Sequence, residues 1–137
     1  MNDVTELVTA AELVARVLSD HPDLPPIAAI MVGSKSGYGM TVQLQLHGGA
    51  DPIAAVAHWA QALNTTVTVQ PHGTYVALDV VLTVDGRTVL VWDHLDPFDA
   101  VEVFARLGLP LPTRGTHVEI SPAELLRAVV PAPAVAV

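Results

Sequence analysis

Cysteine is absent from the 137 residues. That excludes thiol nucleophiles, thiolate metal sites and disulfides, and it agrees with a reducing compartment. Lysine is almost absent: Lys35 stands beside five arginines against fourteen Asp and Glu, for a formal net charge of −8. A field of that sign repels phosphate. Direct binding to nucleic acid or to an anionic membrane is therefore not expected, and a basic protein partner would be attracted. Long hydrophobic runs are also missing. Although 51% of the residues are apolar, Asp, His, Gln or Arg interrupts every stretch well short of the roughly 18 residues that span a bilayer. The N-terminal MNDVTELV is acidic where a secretory signal is basic, so a cytoplasmic location is expected.

What is present suits one folded domain. A chain of this length buries roughly two thirds of the surface its unfolded form exposes, and with 15% charged residues it has too much apolar material for intrinsic disorder. Residues 1–130 are expected to form a single domain, and the uncharged 131–137 a flexible tail. Abundant Ala, Val, Leu, Asp and Pro resemble the usage of high-G+C bacterial genomes.

The clearest local signal is Tyr75 to His94, two β-type runs around Asp85-Gly86. A two-residue type I′ turn there sets Val84 opposite Arg87, Leu82 opposite Val89 and Val80 opposite Val91. One face is then aliphatic: Val76, Leu78, Val80, Leu82, Val84, Val89 and Val91. The other carries Tyr75, Asp79, Val81, Thr83, Thr88, Leu90, Trp92 and His94.

Elsewhere the punctuation is regular. Thr9-Ala10-Ala11-Glu12 reads as a capping box, with Val8 and Leu13 as its staple. It opens a helix whose inner face is Leu13, Val14, Val17 and Leu18, whose surface pairs Glu12 with Arg16, and which ends near Asp20 before a proline-rich connector. Ile27–Val32 reads as a buried strand, 33–39 as a loop, and Met40–His47 as a strand of strict alternation with Met40, Val42, Leu44 and Leu46 inward and Thr41, Gln43, Gln45 and His47 outward. Asp51-Pro52 starts a second helix with Ile53, Val56, Ala60 and Leu63 inside, ended by Asn64. Val67 and Val69 point inward from a short strand. Asp96-Pro97 starts a third helix with Ala100, Val101, Phe104 and Leu107 inside and Gly108 at its end. A short strand at 116–120 and a capping box at Ser121–Glu124 open the last helix, to about residue 130.

These elements predict an α+β fold: a mainly antiparallel sheet of about five strands, helices packed on one face and the other face partly open. The open face would display Gln43, Gln45, Tyr75, Asp79, Trp92 and His94, the candidate binding residues. In this register Asp79 faces Trp92 with His94 on the diagonal, and Asp79 reads as a solvated carboxylate.

No sequence pattern points to catalysis. Asp79 and His94 could act as acid and base, but no serine sits in a nucleophile setting. Asp93, His94, Asp96, Asp99 and Glu102 form an acidic cluster, yet Asp96 serves as a cap and Asp93 faces away from His94, so no metal is expected. The loop GSKSGYG lacks the order of a phosphate-binding loop and precedes a strand rather than a helix. No cofactor is expected. The chain reads as an acidic protein-interaction module of inhibitor, immunity or regulatory-adaptor type, with a mobile element as one source. On that reading, Trp92→Ala and Asp79→Lys should weaken the partner and spare the fold. A homodimer through this face or an edge strand is a second arrangement. A small-molecule binder or enzyme using Asp79 and His94, and an acidic DNA mimic built on Asp93, Asp99 and Glu102, are the alternatives.

Overall fold

A computed structural model describes residues 3–35, 39–46 and 51–129, with side chains for 4–33, 41–46 and 51–129. In chain order the elements are α1 (Asp3–Asp20), β1 (Ile27–Lys35), β2 (Gly39–Leu46), α2 (Pro52–Ala62), β3 (Val67–Pro71), β4 (Val76–Val84), β5 (Arg87–Leu95), α3 (Pro97–Leu107), β6 (Val118–Ile120) and α4 (Pro122–Val129). This is an α+β fold around one six-stranded sheet, ordered β1-β2-β5-β4-β3-β6.

Every neighbouring pair is antiparallel except β2 and β5. The connections explain that exception. α2 carries the chain from β2 across two strand positions to β3, and the meander β3-β4-β5 then brings β5 back beside β2 in the same direction. The strand β6 supplies the sixth member by pairing with β3.

The β4–β5 hairpin has the register its turn chemistry predicts: Val84 opposite Arg87, Val80 opposite Val91 and Asp79 opposite Trp92. Asp85 and Gly86 both have positive φ, 50° and 76°, as a type I′ turn requires. Along one face Val76, Leu78, Val80, Val89 and Val91 are buried with Val42, Leu44, Leu46, Val67 and Val69. The same cluster takes Leu13 and Val17 from α1, Val56 and Trp59 from α2, Phe104 from α3 and Leu125 from α4. Burying such side chains contributes about 1.5–3 kcal/mol each, which is why the short helices hold without strong propensity of their own.

The caps at Asp51, Asp96 and Ser121 form as the sequence predicts. Asp51 accepts from the Ala54 amide at 3.0 Å, Asp96 from Phe98 at 2.8 Å and Ser121 from Glu124 at 3.2 Å. Asn64 has φ 54° just past α2, and Gly108 closes α3 with φ 69°.

Several expectations are corrected. α1 starts at Asp3 rather than at the Thr9 capping box; the Thr9 hydroxyl instead donates to the Thr5 carbonyl at 2.9 Å, one turn back, a bond open to threonine inside a helix. The proposed staple does not form, because Val8 is 52% exposed while Leu13 is buried. Arg16 pairs with Asp85 across the molecule rather than with Glu12. β1 is an edge strand, not a buried one, with Ile30 53% exposed. On α3 Val101 faces solvent, and Val103 takes its place among the buried residues. Met40, His47, Gly48-Gly49, most of the GSKSGYG loop and the 131–137 tail fall outside the described side chains.

Candidate functional site

Strand pairing sets the second face of the sheet in rows. One runs Gln45, Trp92, Asp79, Thr68, Glu119 across five strands. The next row on one side holds Gln70, Ala77 and His94, and on the other Gln43, Leu90 and Val81. Trp92 and His94, two apart on β5, therefore share a face, and Tyr75 enters β4 beside them.

The rings make a continuous series. A backbone hydrogen bond from His72 to the Tyr75 carbonyl, 2.8 Å, closes the turn before β4. It stacks the His72 imidazole on Tyr75, centroids 4.8 Å apart and planes at 23°. Tyr75 meets His94 edge to face at 6.0 Å, and His94 lies 6.1 Å from Trp92. These are the separations at which aromatic pairs gain energy beyond their buried area. Ala77 is the residue across from His94 and is fully buried.

Thr74, Tyr75, Trp92, His94, Leu95 and Asp96 surround a cleft of about 540 Å³, within the range of binding sites for small groups. Asp96 is the only charged residue among those six. The guanidinium of Arg114 lies against the turn at Gly73 rather than in the cleft lining.

Of the six residues singled out from sequence, Tyr75, Trp92 and His94 converge on this cleft and Gln45 pairs with Trp92. The other two are placed differently. Gln43 is buried at 7% beside Leu90, one row away. Asp79 is 1% exposed, which corrects the solvated carboxylate: it sits at the centre of the sheet, between Trp92 and Thr68. Asp79→Lys is accordingly no surface substitution.

His94 is associated with Asp93 rather than with Asp79. Its backbone amide donates to Asp93 Oδ1 at 2.8 Å, and its Nδ1 lies 3.7 Å from the same oxygen. Asp93 is 1% exposed, so it is not available to a surface row of phosphate-like charges. Glu102 pairs with Arg106 at 2.9 Å along α3. Among the described residues no three His, Asp or Glu side chains converge as a metal site would require.

Sequence reading missed His72, Thr74 and the second role of Asp96. The ring after Pro71 was legible only as a turn residue, since stacking on Tyr75 depends on how tightly that turn closes. Asp96 is the cap that the Asp-Pro pair predicts, and its position after β5 also brings it to the rim of the cleft. Comparison with known proteins gives no match to this chain among family models, curated proteins or solved structures.

Proposed function

We propose that this chain is a small acidic protein-interaction module, of inhibitor, immunity or adaptor type, and that it binds a basic protein through the Tyr75–His94–Trp92 face. The observation that carries this reading is the cleft itself: three rings, an aspartate at the rim and, among the described residues, no Lys or Arg in the lining. A guanidinium or ammonium over a tyrosine or tryptophan face within about 6 Å gains roughly 0.5–2 kcal/mol, more as water is excluded. Aromatic side chains are also the commonest anchors of interfaces, because they bury much area at little entropic cost. The −8 charge would speed encounter with a basic surface and make it salt-sensitive.

The acid–base alternative pairs His94 with Asp79, whereas the carboxylate 3.7 Å from His94 Nδ1 is that of Asp93.

A titration with an oligo-arginine peptide, followed by the Trp92 indole resonance, tests the reading. Expected are a saturable shift at Trp92 and at least a tenfold loss of affinity in Tyr75→Ala and in Trp92→Ala, with the latter followed by other resonances of the cleft. Asp96→Asn should weaken binding while keeping the helix cap, because asparagine caps as well as aspartate. An indole that does not respond, or an affinity unchanged in both ring variants, overturns the proposal.

A further inference from the structure

The acid-free stretch of this chain coincides with a sheet edge that, among the described residues, pairs on one side only. None of the fourteen Asp and Glu falls between Leu24 and Ala50, the segment that supplies β1 and β2. Among the described residues β1 ends the strand order, beside β2, and Ile27–Ser34 carries no charge. Its central side chains are large and open to solvent, Ile30 at 53% and Met31 at 56%.

Natural sheets protect such an edge with charge, proline, a bulge or a covering element. Here a single irregularity falls between Ile27 and Ala29, and the strand then pairs regularly as far as Lys35. The adjoining helix has the same character. Glu6 lines one small cavity with Val32 of β1, Thr41 and Val42 of β2 and Arg87 and Thr88 of β5, which places the first turns of α1 on the β1-β2-β5 side of the sheet. Beside the stripe that is buried at Ala10, Leu13, Val14 and Val17, a separate apolar group, Val4 at 67%, Leu7 at 56% and Val8 at 52%, is exposed on the first two turns. Glu6 itself is compensated by a two-pronged contact from Arg87, 2.6 and 3.0 Å.

We propose that a second copy of this chain pairs with β1, antiparallel and edge to edge about a two-fold axis normal to the sheet. Such an axis keeps the α1 helices of both copies on the same side of the joined sheet. Self-pairing needs no second surface, since the same patch occurs on both partners. Charge selects this patch over others: two chains of −8 repel at most approaches, and least where acidic residues are absent. Strand pairing alone falls short of the roughly 1,000 Å² of a stable interface, so the Val4, Leu7 and Val8 group is part of the contact.

Sedimentation velocity of the full chain over a wide concentration range tests this. Expected is a species of twice the 14.4 kDa chain mass that tightens as salt is raised, because salt screens the like charges. The double variant Ile30→Glu, Met31→Glu and, separately, Leu7→Glu should each raise the dissociation constant at least 100-fold with an unchanged circular dichroism spectrum. Phe98→Glu, at an 84% exposed position on α3, should leave it unchanged. A monomer at every concentration, a dimer equally strong in the β1 and α1 variants, open-ended assembly, or a dimer that weakens with salt would each overturn the proposal.

Discussion

Asp79 and Thr83 lie on the same strand and the same face, two rows apart, and a lysine at each should have opposite consequences. Thr83 is exposed, whereas Asp79 is 1% exposed and sits between Trp92 and Thr68. Taking an ammonium out of water costs several kcal/mol unless it finds a well-placed carboxylate. The substitution also removes the carboxylate from the site it would need to pair with. Asp79→Lys is therefore expected to destabilise by about 3–5 kcal/mol, and Thr83→Lys by less than about 0.5 kcal/mol, the usual range for surface changes. For a domain of this size each kcal/mol lowers Tm by roughly 3–5 °C, so Asp79→Lys should lose on the order of 10–20 °C while Thr83→Lys stays near wild type. Thermal unfolding followed by far-ultraviolet circular dichroism measures both. Two melting temperatures within a few degrees of each other would mean that the centre of this face is solvated after all, and the burial argument would fail.

Three further outcomes follow from individual contacts. The Arg87 hydrogen bonds hold the Glu6 carboxyl below the ordinary glutamate range, with the Arg87 charge adding to them against some desolvation; because the folded value is the lower one, this contribution is intact above about pH 4.3 and is lost as the pH falls below it. Glu6→Gln should flatten stability in that acid window, and an identical acid profile for the variant would show that the pair contributes nothing. Gly108→Ala places a Cβ at φ 69° and should cost about 1–2 kcal/mol, read as a lower urea midpoint at constant slope; an unchanged midpoint would mean α3 can end another way. Trp59→Phe removes the indole donor from the Pro25 carbonyl, 2.9 Å away, at a cost of about 1–3 kcal/mol for the stranded acceptor; hydrogen exchange should then rise in the 21–26 connector ahead of the rest, and uniform acceleration would contradict a local role.

The parts of the fold that were legible are those fixed by backbone chemistry within a few residues. Asp85-Gly86 can adopt two successive positive φ values cheaply, so it sets the β4–β5 register and, with it, which residues share a face. Asp-Pro and Ser-Pro starts work in the same way, because proline has no amide to satisfy and the preceding oxygen accepts from the first turn. Thr9-Ala10-Ala11-Glu12 has equally good local chemistry and yet lies inside α1. A capping box marks a helix start only when the residues before it cannot be helical, and Val4–Val8 can. Arg16 has a similar history: Glu12 is one turn away, but the tertiary partner Asp85 offers the closer contact.

Strand order was less legible, and the site inherits that limit. Alternation assigns Gln43, Gln45, Asp79, Trp92 and His94 to one face, but it does not say which strands lie in the middle. That depends on the α2 crossover, which sets β5 between β2 and β4 and makes Leu90 and Asp79 central. On that face a polar residue is covered where strands flank it on both sides and side chains surround it along the strand, as at Gln43 and Asp79, whereas His94, next to the last residue of β5, is 49% exposed. β1 shows the converse. Ile27–Val32 has the composition of a buried strand, and only its place at the end of the sheet exposes Ile30 and Met31. The two mismatches have one cause, position within the sheet. It also divides the candidate contacts, with the rings gathered where β4 and β5 meet and the apolar edge left on β1, where Ile30→Glu with Met31→Glu and Trp92→Ala should act on different equilibria.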